Sequence, residues 1–175
     1  MAEDILSKLS GGDRRSIGHV DEVIADVQAE PALFDALFWG MRDEDPLVRM
    51  RTADAVEKLS AAEPGLLQPY KNALLTEIAP VRQQEVRWHM AQMLPRLNLS
   101  PAERRQAMAI LRGYLDDRSK IVKTFAMQAM ADLALQQPDL KPEVIPLLRQ
   151  LTETGSPAMQ SRGRKLLSTL DEADA

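Results

Sequence analysis

The sequence contains no cysteine, so disulfides, thiolate metal sites and thiol nucleophiles are all excluded. Nothing therefore ties the chain to an oxidising compartment. The first residues are acidic and lack a basic start followed by an apolar run, so they do not resemble a secretory signal. No stretch approaches the roughly 20 apolar residues that a membrane-spanning helix needs. We therefore expect a cytoplasmic protein that does not cross a membrane.

The motifs that usually carry catalysis are also missing. There is no Gly-rich phosphate loop, no nucleophile elbow and no spacing of histidines and acids that suits a metal ion. We therefore predict a non-enzymatic protein with no catalytic residue, no metal and no cofactor. The net charge of -4 argues against nucleic acid or an anionic membrane as the main partner, because both are polyanions.

Aromatic residues make up only 4% of the chain, and β-branched residues are few. Leu, Met, Ala, Glu, Gln and Arg dominate instead, and this composition favours helices over strands. No alternation of apolar and polar residues persists long enough to indicate a strand. The composition therefore predicts an all-α protein.

One helical pattern returns several times along the chain. It begins at Val48, which is followed by small and apolar residues at +4, +8 and +11, the spacing of one face of an amphipathic helix. The same offsets follow Val86, Val122 and Met159, so these anchors lie 38, 36 and 37 residues apart. A self-match of that period indicates an array of helical repeats.

Local start and stop signals divide each repeat into two helices, A and B. Asp45 and Pro46, for example, form a cap followed by a proline, which marks the start of a B helix. The sequence predicts a capping helix at 1–12, a degenerate half repeat at 13–30, helix pairs at 31–62, 63–99, 100–137 and 138–170, and a frayed tail at 171–175. Pro69 should fall in the first turn of its helix or bend it, and Pro146 should kink its helix.

Two of these segments, DPLVRMRTADAVEKL and QQEVRWHMAQMLPRL, resemble the second helix of a HEAT repeat. They share a turn acid or Gln, a Val-Arg pair, a small residue five positions after the Val, and two later aliphatic residues. The segments that begin at Val122 and Met159 match less closely, and the resemblance covers about four-fifths of the chain. It implies a right-handed α-α superhelix of about four helix pairs with an N-terminal capping helix. It says almost nothing about activity, because such arrays hold many unrelated partners.

In HEAT-like arrays the B helices line a concave groove, and side chains opposite the apolar stripe point into it. At about 100 degrees per residue, the outward positions fall at +2, +6 and +9 from each anchor. Seven residues at positions +2 and +6 are candidate partner-binding residues: Met50, Asp54, Trp88, Gln92, Thr124, Gln128 and Lys165. Arg51 and His89, at +3 beside the groove, complete the predicted set.

Trp88 is the most informative of these residues. An indole on the polar side of an otherwise well-formed helix exposes a large amphipathic ring, which is typical of interface anchors. The alternative is that the helix register is shifted by one residue and that Trp88 packs against the next repeat. His89 and the second histidine, His19, both fall at +3 but in non-adjacent repeats, so a shared metal ion is not expected.

Cations are concentrated in the B helices. Residues 46–59, 84–97, 119–133 and 156–170 contain ten Lys and Arg against four Asp and Glu, whereas the remainder contains twelve against twenty-two. This distribution favours an acidic partner. Among these cations, Arg49, Arg87 and Lys123 at +1 are expected to bridge to turn acids and thus to hold the stack together.

The leading interpretation is a non-enzymatic scaffold that holds a protein or peptide in the groove. A second interpretation is nucleic-acid binding, because some DNA-alkylation glycosylases are built from HEAT-like repeats and use groove tryptophans, an acid and basic residues. Trp88, Asp54 and Arg51 could take those roles. A third is an accessory subunit of a lyase-type enzyme, as in HEAT-like subunits of bilin lyases. The exposed end helices could contact solvent or a second copy, so no oligomeric state is predicted.

Overall fold

The computed structural model describes the backbone of residues 2–174 and the side chains of residues 5–174. Within those ranges the chain forms helices, turns and loops without any strand, so the all-α prediction is confirmed. The chain contains two compact units, Met1–Leu97 and Asn98–Ala175. The organisation of 1–175 as one repeat domain, with its division into pairs, stays a prediction.

Unit 1 begins with α1 (Ala2–Ser7) and α2 (Val20–Ala29). Next come α3 (Phe34–Trp39), between the 3₁₀ turns Pro31–Leu33 and Gly40–Arg42, and α4 (Pro46–Ala62). The following A segment is irregular and consists of a 3₁₀ stretch (Pro64–Tyr70), α5 (Lys71–Ala73) and a π turn (Leu74–Ile78). The unit ends with α6 (Gln84–Met93) and the 3₁₀ turn Leu94–Arg96.

Unit 2 contains two pairs of longer helices. The first pair is α7 (Pro101–Tyr114) and α8 (Lys120–Gln136). A 3₁₀ turn (Pro138–Leu140) leads into the second pair, α9 (Lys141–Thr154) and α10 (Pro157–Glu172).

The helix starts follow from their local sequences. Asp45 Oδ1 accepts a hydrogen bond from Leu47 N at 2.8 Å, and Pro46 occupies the first helical position of α4, where its missing N–H costs nothing. Serine side chains cap three further helices: Ser100 for α7, Ser119 for α8 and Ser156 for α10. The caps of α4, α8 and α10 fix the turns that lead from an A helix into a B helix.

Within each unit the B helices pack side by side. In unit 1, α4 contacts both α2 and α6, and in unit 2 α8 contacts α10. The four anchors Val48, Val86, Val122 and Met159 are all buried. Since burial of one such side chain stabilises a fold by about 1.5–3 kcal/mol, the repeated stripe supplies much of the packing energy between neighbouring helices.

The first 30 residues depart from the predicted helix bounds. The pattern predicts a capping helix that reaches Gly11 and a second helix from about Arg14, whereas α1 ends at Ser7 and α2 begins at Val20. Gly11, Gly12 and Gly18 have positive φ angles of 72°, 83° and 59°. These left-handed residues interrupt both helices, so residues 11–19 form an exposed loop.

The two helix-internal prolines have different surroundings. Pro69 lies in the 3₁₀ stretch, and the A segment that contains it widens into a π turn in which Ala79 N donates to Leu74 O at 3.0 Å. Pro146, in contrast, lies inside α9, which runs without interruption from Lys141 to Thr154. Since Pro146 is exposed, the main-chain bond that it cannot donate is lost on the water side of the helix.

The last helix, α10, reaches into the segment 171–175 that the sequence predicts to be frayed, and the fraying itself stays a prediction. α10 continues to Glu172, and the buried Lys141 donates from Nζ to Leu170 O at 3.4 Å and to the carboxylate of Asp174. A cation at the carboxyl end of a helix satisfies free carbonyl groups and is favoured by the helix dipole. Ala175 lies outside the described residues.

Candidate partner-binding faces

Four of the predicted residues lie on unit 1, on the adjoining B helices α4 and α6. Met50 and Asp54 belong to α4, and Trp88 and Gln92 belong to α6. All four side chains are partly exposed. We call this set the unit-1 face.

The exposure of Trp88 falls between the two predicted alternatives, since the residue is neither buried nor fully exposed. Its ring centroid lies 5.8 Å from that of His89, at an interplanar angle of 59°. Gln92 Nε2 donates to Trp88 O at 3.2 Å and thus braces this turn of α6. No acceptor for the indole N–H is found within the described part of the chain. The ring therefore combines a packed body with an edge that can donate to a partner.

Asp54 contacts two ionisable side chains beside this face, those of Lys58 and His89. Its Oδ2 lies 2.8 Å from Lys58 Nζ, and its Oδ1 lies 3.8 Å from His89 Nε2. The hydrogen bond to Asp54 raises the pKa of Lys58. Burial lowers the pKa of His89, and the nearby charge of Asp54 only partly offsets this effect. Near neutral pH the imidazole is therefore uncharged, and its buried Nδ1 has no hydrogen-bond partner among the described atoms.

Arg51 lies inside unit 1 and has a structural role. It is 2% exposed, and its guanidinium donates to main-chain carbonyl groups of the loop that precedes α2. The acceptors are Leu9 O (2.8 Å), Gly11 O (2.6 Å), Asp13 O (3.1 Å) and Ser16 O (3.1 Å). Arg51 thus fastens the exposed loop to α4. Arg51 and His89 are both predicted to bind a partner. Because His89 is only 9% exposed and Arg51 is also buried, neither side chain belongs to the accessible part of the face.

Two of the basic residues at +1, Arg49 and Arg87, donate to main-chain carbonyl groups of the turns, and the predicted bridges from the +1 residues to turn acids stay a prediction. Arg49 Nη1 donates to Asp43 O at 2.7 Å and to Glu44 O at 3.1 Å, while Arg49 Nε donates to Gln83 Oε1 at 2.8 Å. Arg87 Nε donates to Val81 O at 3.2 Å. The carboxylate of Asp45 is already used as the α4 cap. Both arginines therefore hold turns, and Arg49 also joins two successive pairs through Gln83.

The remaining predicted residues lie on unit 2. Thr124 and Gln128 on α8 are partly exposed, and Lys165 on α10 is exposed. We call this set the unit-2 face. Thr124 Oγ1 donates to Lys120 O at 2.7 Å, one turn earlier in its own helix, so its hydroxyl is already partly satisfied.

A chain of polar side chains links α8 and α10 at this face. Arg162 Nη1 donates to Gln128 Oε1 at 2.6 Å, and Gln128 Nε2 donates to Asp132 Oδ1 at 2.9 Å. Burial raises the pKa of Asp132, against the opposing effects of the Gln128 hydrogen bond and the Arg162 charge. A cleft of about 210 Å³ opens beside these groups, and Lys165 and Leu135 also line it.

The sequence pattern does not identify two further residues, Asp132 and Trp39. Asp132 falls at +10, between the apolar stripe and the outward positions, although its spacing of four from Gln128 is a recognisable signal for side-chain pairing on a helix. Trp39, the second tryptophan, is 37% exposed and lies on the A helix α3 with its ring edge on Phe38, 5.2 Å between centroids. No local signal separates this position from the buried aromatic residues beside it.

Each helix in the described range is too short or too polar to span a lipid bilayer. The same range contains no group of three or more His, Cys, Asp or Glu side chains that could hold a metal ion.

Comparisons with known proteins agree with the repeat pattern and packing. A profile of the HEAT repeat domain matches residues 7–170. The crystal structure of an engineered protein superposes with a TM-score of 0.64 over 98% of this chain and 80% of that chain, at 14% identity. At that identity the likeness concerns the fold alone. No curated protein matches the sequence.

The chain is thus a helical repeat protein with an all-α solenoid fold. It belongs to the HEAT repeat family.

Proposed function

We propose that this protein is a non-enzymatic scaffold that binds protein partners through its unit-1 face and its unit-2 face, each formed by B helices of the kind that line the groove in HEAT arrays. HEAT repeats generally mediate protein interactions, which gives the general class. The observation that carries the proposal is Trp88, a partly exposed indole whose N–H has no acceptor within residues 5–174. Such rings supply much of the binding energy of interfaces.

The contacts of Asp54 support binding better than catalysis. Its carboxylate is shared between Lys58 and His89, and burial disfavours the charged form of that histidine. The carboxylate of Asp54, positioned by Lys58, is therefore better suited to accept a hydrogen bond from a partner than to take part in catalysis.

The nucleic-acid alternative needs Arg51 as an accessible cation. Its guanidinium is instead occupied by four carbonyl groups of the preceding loop. We therefore do not extend the proposal to nucleic acid. Duplex and single-stranded DNA at low salt test this choice, because phosphate contacts are strongest there.

The two tryptophans provide a matched test of the proposal. Trp88→Ala removes an indole from the B helix α6, whereas Trp39→Ala removes one from the A helix α3. Tagged wild-type protein and both variants are used to capture partners from the native host under identical conditions. Thermal unfolding of each variant is recorded first, so that a loss of binding is compared at known stability.

We expect a defined partner to bind wild-type protein and Trp39→Ala, and to be lost from Trp88→Ala. Equal capture by both variants, or loss from Trp39→Ala alone, would overturn the assignment of the partner to the unit-1 face.

A further inference from the structure

We propose that the cleft between α8 and α10 binds a carboxylate side chain of the partner, within a segment that also places an aliphatic side chain against Leu135. This inference rests on the proposed scaffold function and names the chemistry of the segment that unit 2 holds. It concerns Arg162, Lys165, Gln128, Asp132 and Leu135, all of which line the cleft.

The size of the cleft favours one side chain over a cofactor. Its volume is about 210 Å³, below the roughly 300–1,000 Å³ of pockets for drug-sized ligands. A partner would therefore insert a side chain while the rest of its segment lies on the surface. This is the usual manner in which a helix or extended peptide is read by a repeat surface.

Arg162 has hydrogen-bonding capacity that the corresponding arginine of unit 1 lacks. Arg51 and Arg162 both occupy the +3 position of their repeats. The guanidinium of Arg51 donates to four loop carbonyl groups, whereas that of Arg162 donates to one acceptor within the described residues, Gln128 Oε1 at 2.6 Å. A guanidinium carries five N–H donors in a planar fork that suits a carboxylate. Arg162 therefore has donors left for a ligand.

The charge of the cleft favours an anion. Arg162 and Lys165 are opposed by a single lining carboxylate, that of Asp132. One oxygen of this carboxylate already accepts from Gln128 Nε2 at 2.9 Å. Lys165 is exposed, and no side-chain ion pair to it is found within the described residues. The lining thus has one excess positive charge, with the free cation on its rim.

Leu135 explains why the segment should also carry an aliphatic residue. It is 37% exposed, whereas Leu133, the other leucine of α8, is buried, and it lines the same cleft. An isolated exposed leucine needs no explanation. Beside a cationic cleft, however, it lets a segment gain apolar contact while its acid is held by Arg162 and Lys165.

The test uses the isotope-labelled full chain and short synthetic peptides as probes. The first probe contains Glu and Leu spaced by Gly, the second replaces each Glu by Gln, and the third replaces each Glu by Lys. Backbone amide shifts are followed during titration. We expect saturable shifts around Gln128, Asp132 and Leu135 with the Glu peptide, weaker binding of the Gln peptide, and loss of the effect at high salt.

Charge reversal on α10 provides the variant arm. Lys165→Glu should weaken binding of the Glu peptide by about five- to tenfold, the expected effect of removing and reversing one rim charge. Arg105→Glu, on the exposed side of α7, makes the same change of charge elsewhere on unit 2 and should leave the affinity unchanged. Arg162→Gln is the second variant, and it should weaken binding while keeping the fold.

Several results would overturn the inference. Equal binding of the Glu and Gln peptides would mean that no carboxylate is recognised. Tighter binding of the Lys peptide would assign the cleft to a cation held by Asp132. Absence of shifts on α8 and α10 would also reject it. If peptide binding fails but capture that depends on Trp88 persists, only this inference fails; if the peptide binds without such capture, the proposed function fails.

Discussion

Arg49 and Gln83 join two successive helix pairs through their side chains. Arg49 Nε donates to Gln83 Oε1 at 2.8 Å, and Gln83 Nε2 in turn donates to Pro46 O at 2.8 Å. One amide therefore ties the start of α4 to the start of α6. It does so at the expense of capping α6 with its own side chain.

Gln83→Ala should lower the free energy of unfolding by about 1–2 kcal/mol, because two partly buried hydrogen bonds are lost at about 1 kcal/mol each. Gln84→Ala is the control, since Gln84 is the exposed neighbour. Urea unfolding followed by circular dichroism measures both variants. Equal midpoints for the two would show that the bridge contributes nothing to the packing of α4 on α6.

Gly163 allows α10 to approach α9 closely. A Cβ at this position would overlap Thr152 Oγ1 and would lie 3.0 Å from Thr152 Cβ. Gly163→Ala should therefore destabilise the fold by about 1–3 kcal/mol, the usual cost of overpacking. Gly113→Ala, on the exposed side of α7 with nothing within 4 Å, should instead stabilise it by about 0.5–1 kcal/mol. Opposite shifts in melting temperature are the expected result, and shifts of the same sign would contradict it.

Arg51 should control access to the loop before α2. The loop contains Arg14 and Arg15, both exposed, which are sites for trypsin. In Arg51→Ala the four loop carbonyl groups lose their donor, so cleavage at these sites should become several-fold faster. Arg105→Ala controls for the loss of an arginine elsewhere. Unchanged cleavage in Arg51→Ala would mean that the loop is held by other contacts.

His89 should make stability depend on pH. Burial lowers its pKa in the folded state relative to the unfolded chain. The unfolded chain therefore binds the proton more readily, and stability falls as pH decreases from about 6.5 toward the folded pKa. The groups around the imidazole are Asp54, Glu57, Lys58 and Glu85. His89→Gln should flatten this part of the profile of unfolding free energy against pH.

Imidazole resonances provide a direct check of the histidine prediction. The chain has two histidines, so His19→Gln assigns the remaining signal to His89. A midpoint below the usual value of about 6.5 is expected for that signal. A midpoint above it would show that Asp54 holds the imidazole in its charged form despite burial.

The sequence predicts the fold through features that act locally. The anchors Val48, Val86, Val122 and Met159 repeat at helical spacing and all become buried, and caps such as Asp45 act within one turn. The bounds of α2 could not be found in this way. They depend on Gly18, which has a positive φ of 59° and packs closely against Arg51. A Cβ added at Gly18 would lie only 2.9 Å from the guanidinium carbon of Arg51. That contact joins positions far apart in the chain.

The surfaces were predictable only in outline. The outward positions do contain Met50, Asp54, Trp88 and Gln92 as partly exposed residues. Arg51 shows the limit of predicting exposure from helical spacing, because its burial depends on carbonyl groups supplied by the loop that precedes α2. Composition and spacing do not predict such acceptors, because the loop carbonyl groups reach Arg51 only when the loop is folded.

The most direct test of the central claim is site-specific photo-crosslinking from positions 88 and 39 in the native host. A photoreactive phenylalanine analogue replaces either Trp88 or Trp39, and adducts are identified after irradiation. The account predicts one defined protein adduct from position 88, reduced by excess wild-type protein, and none from position 39. A defined adduct from position 39 alone, or none from position 88, would contradict the claim that the B-helix face of unit 1 holds the partner.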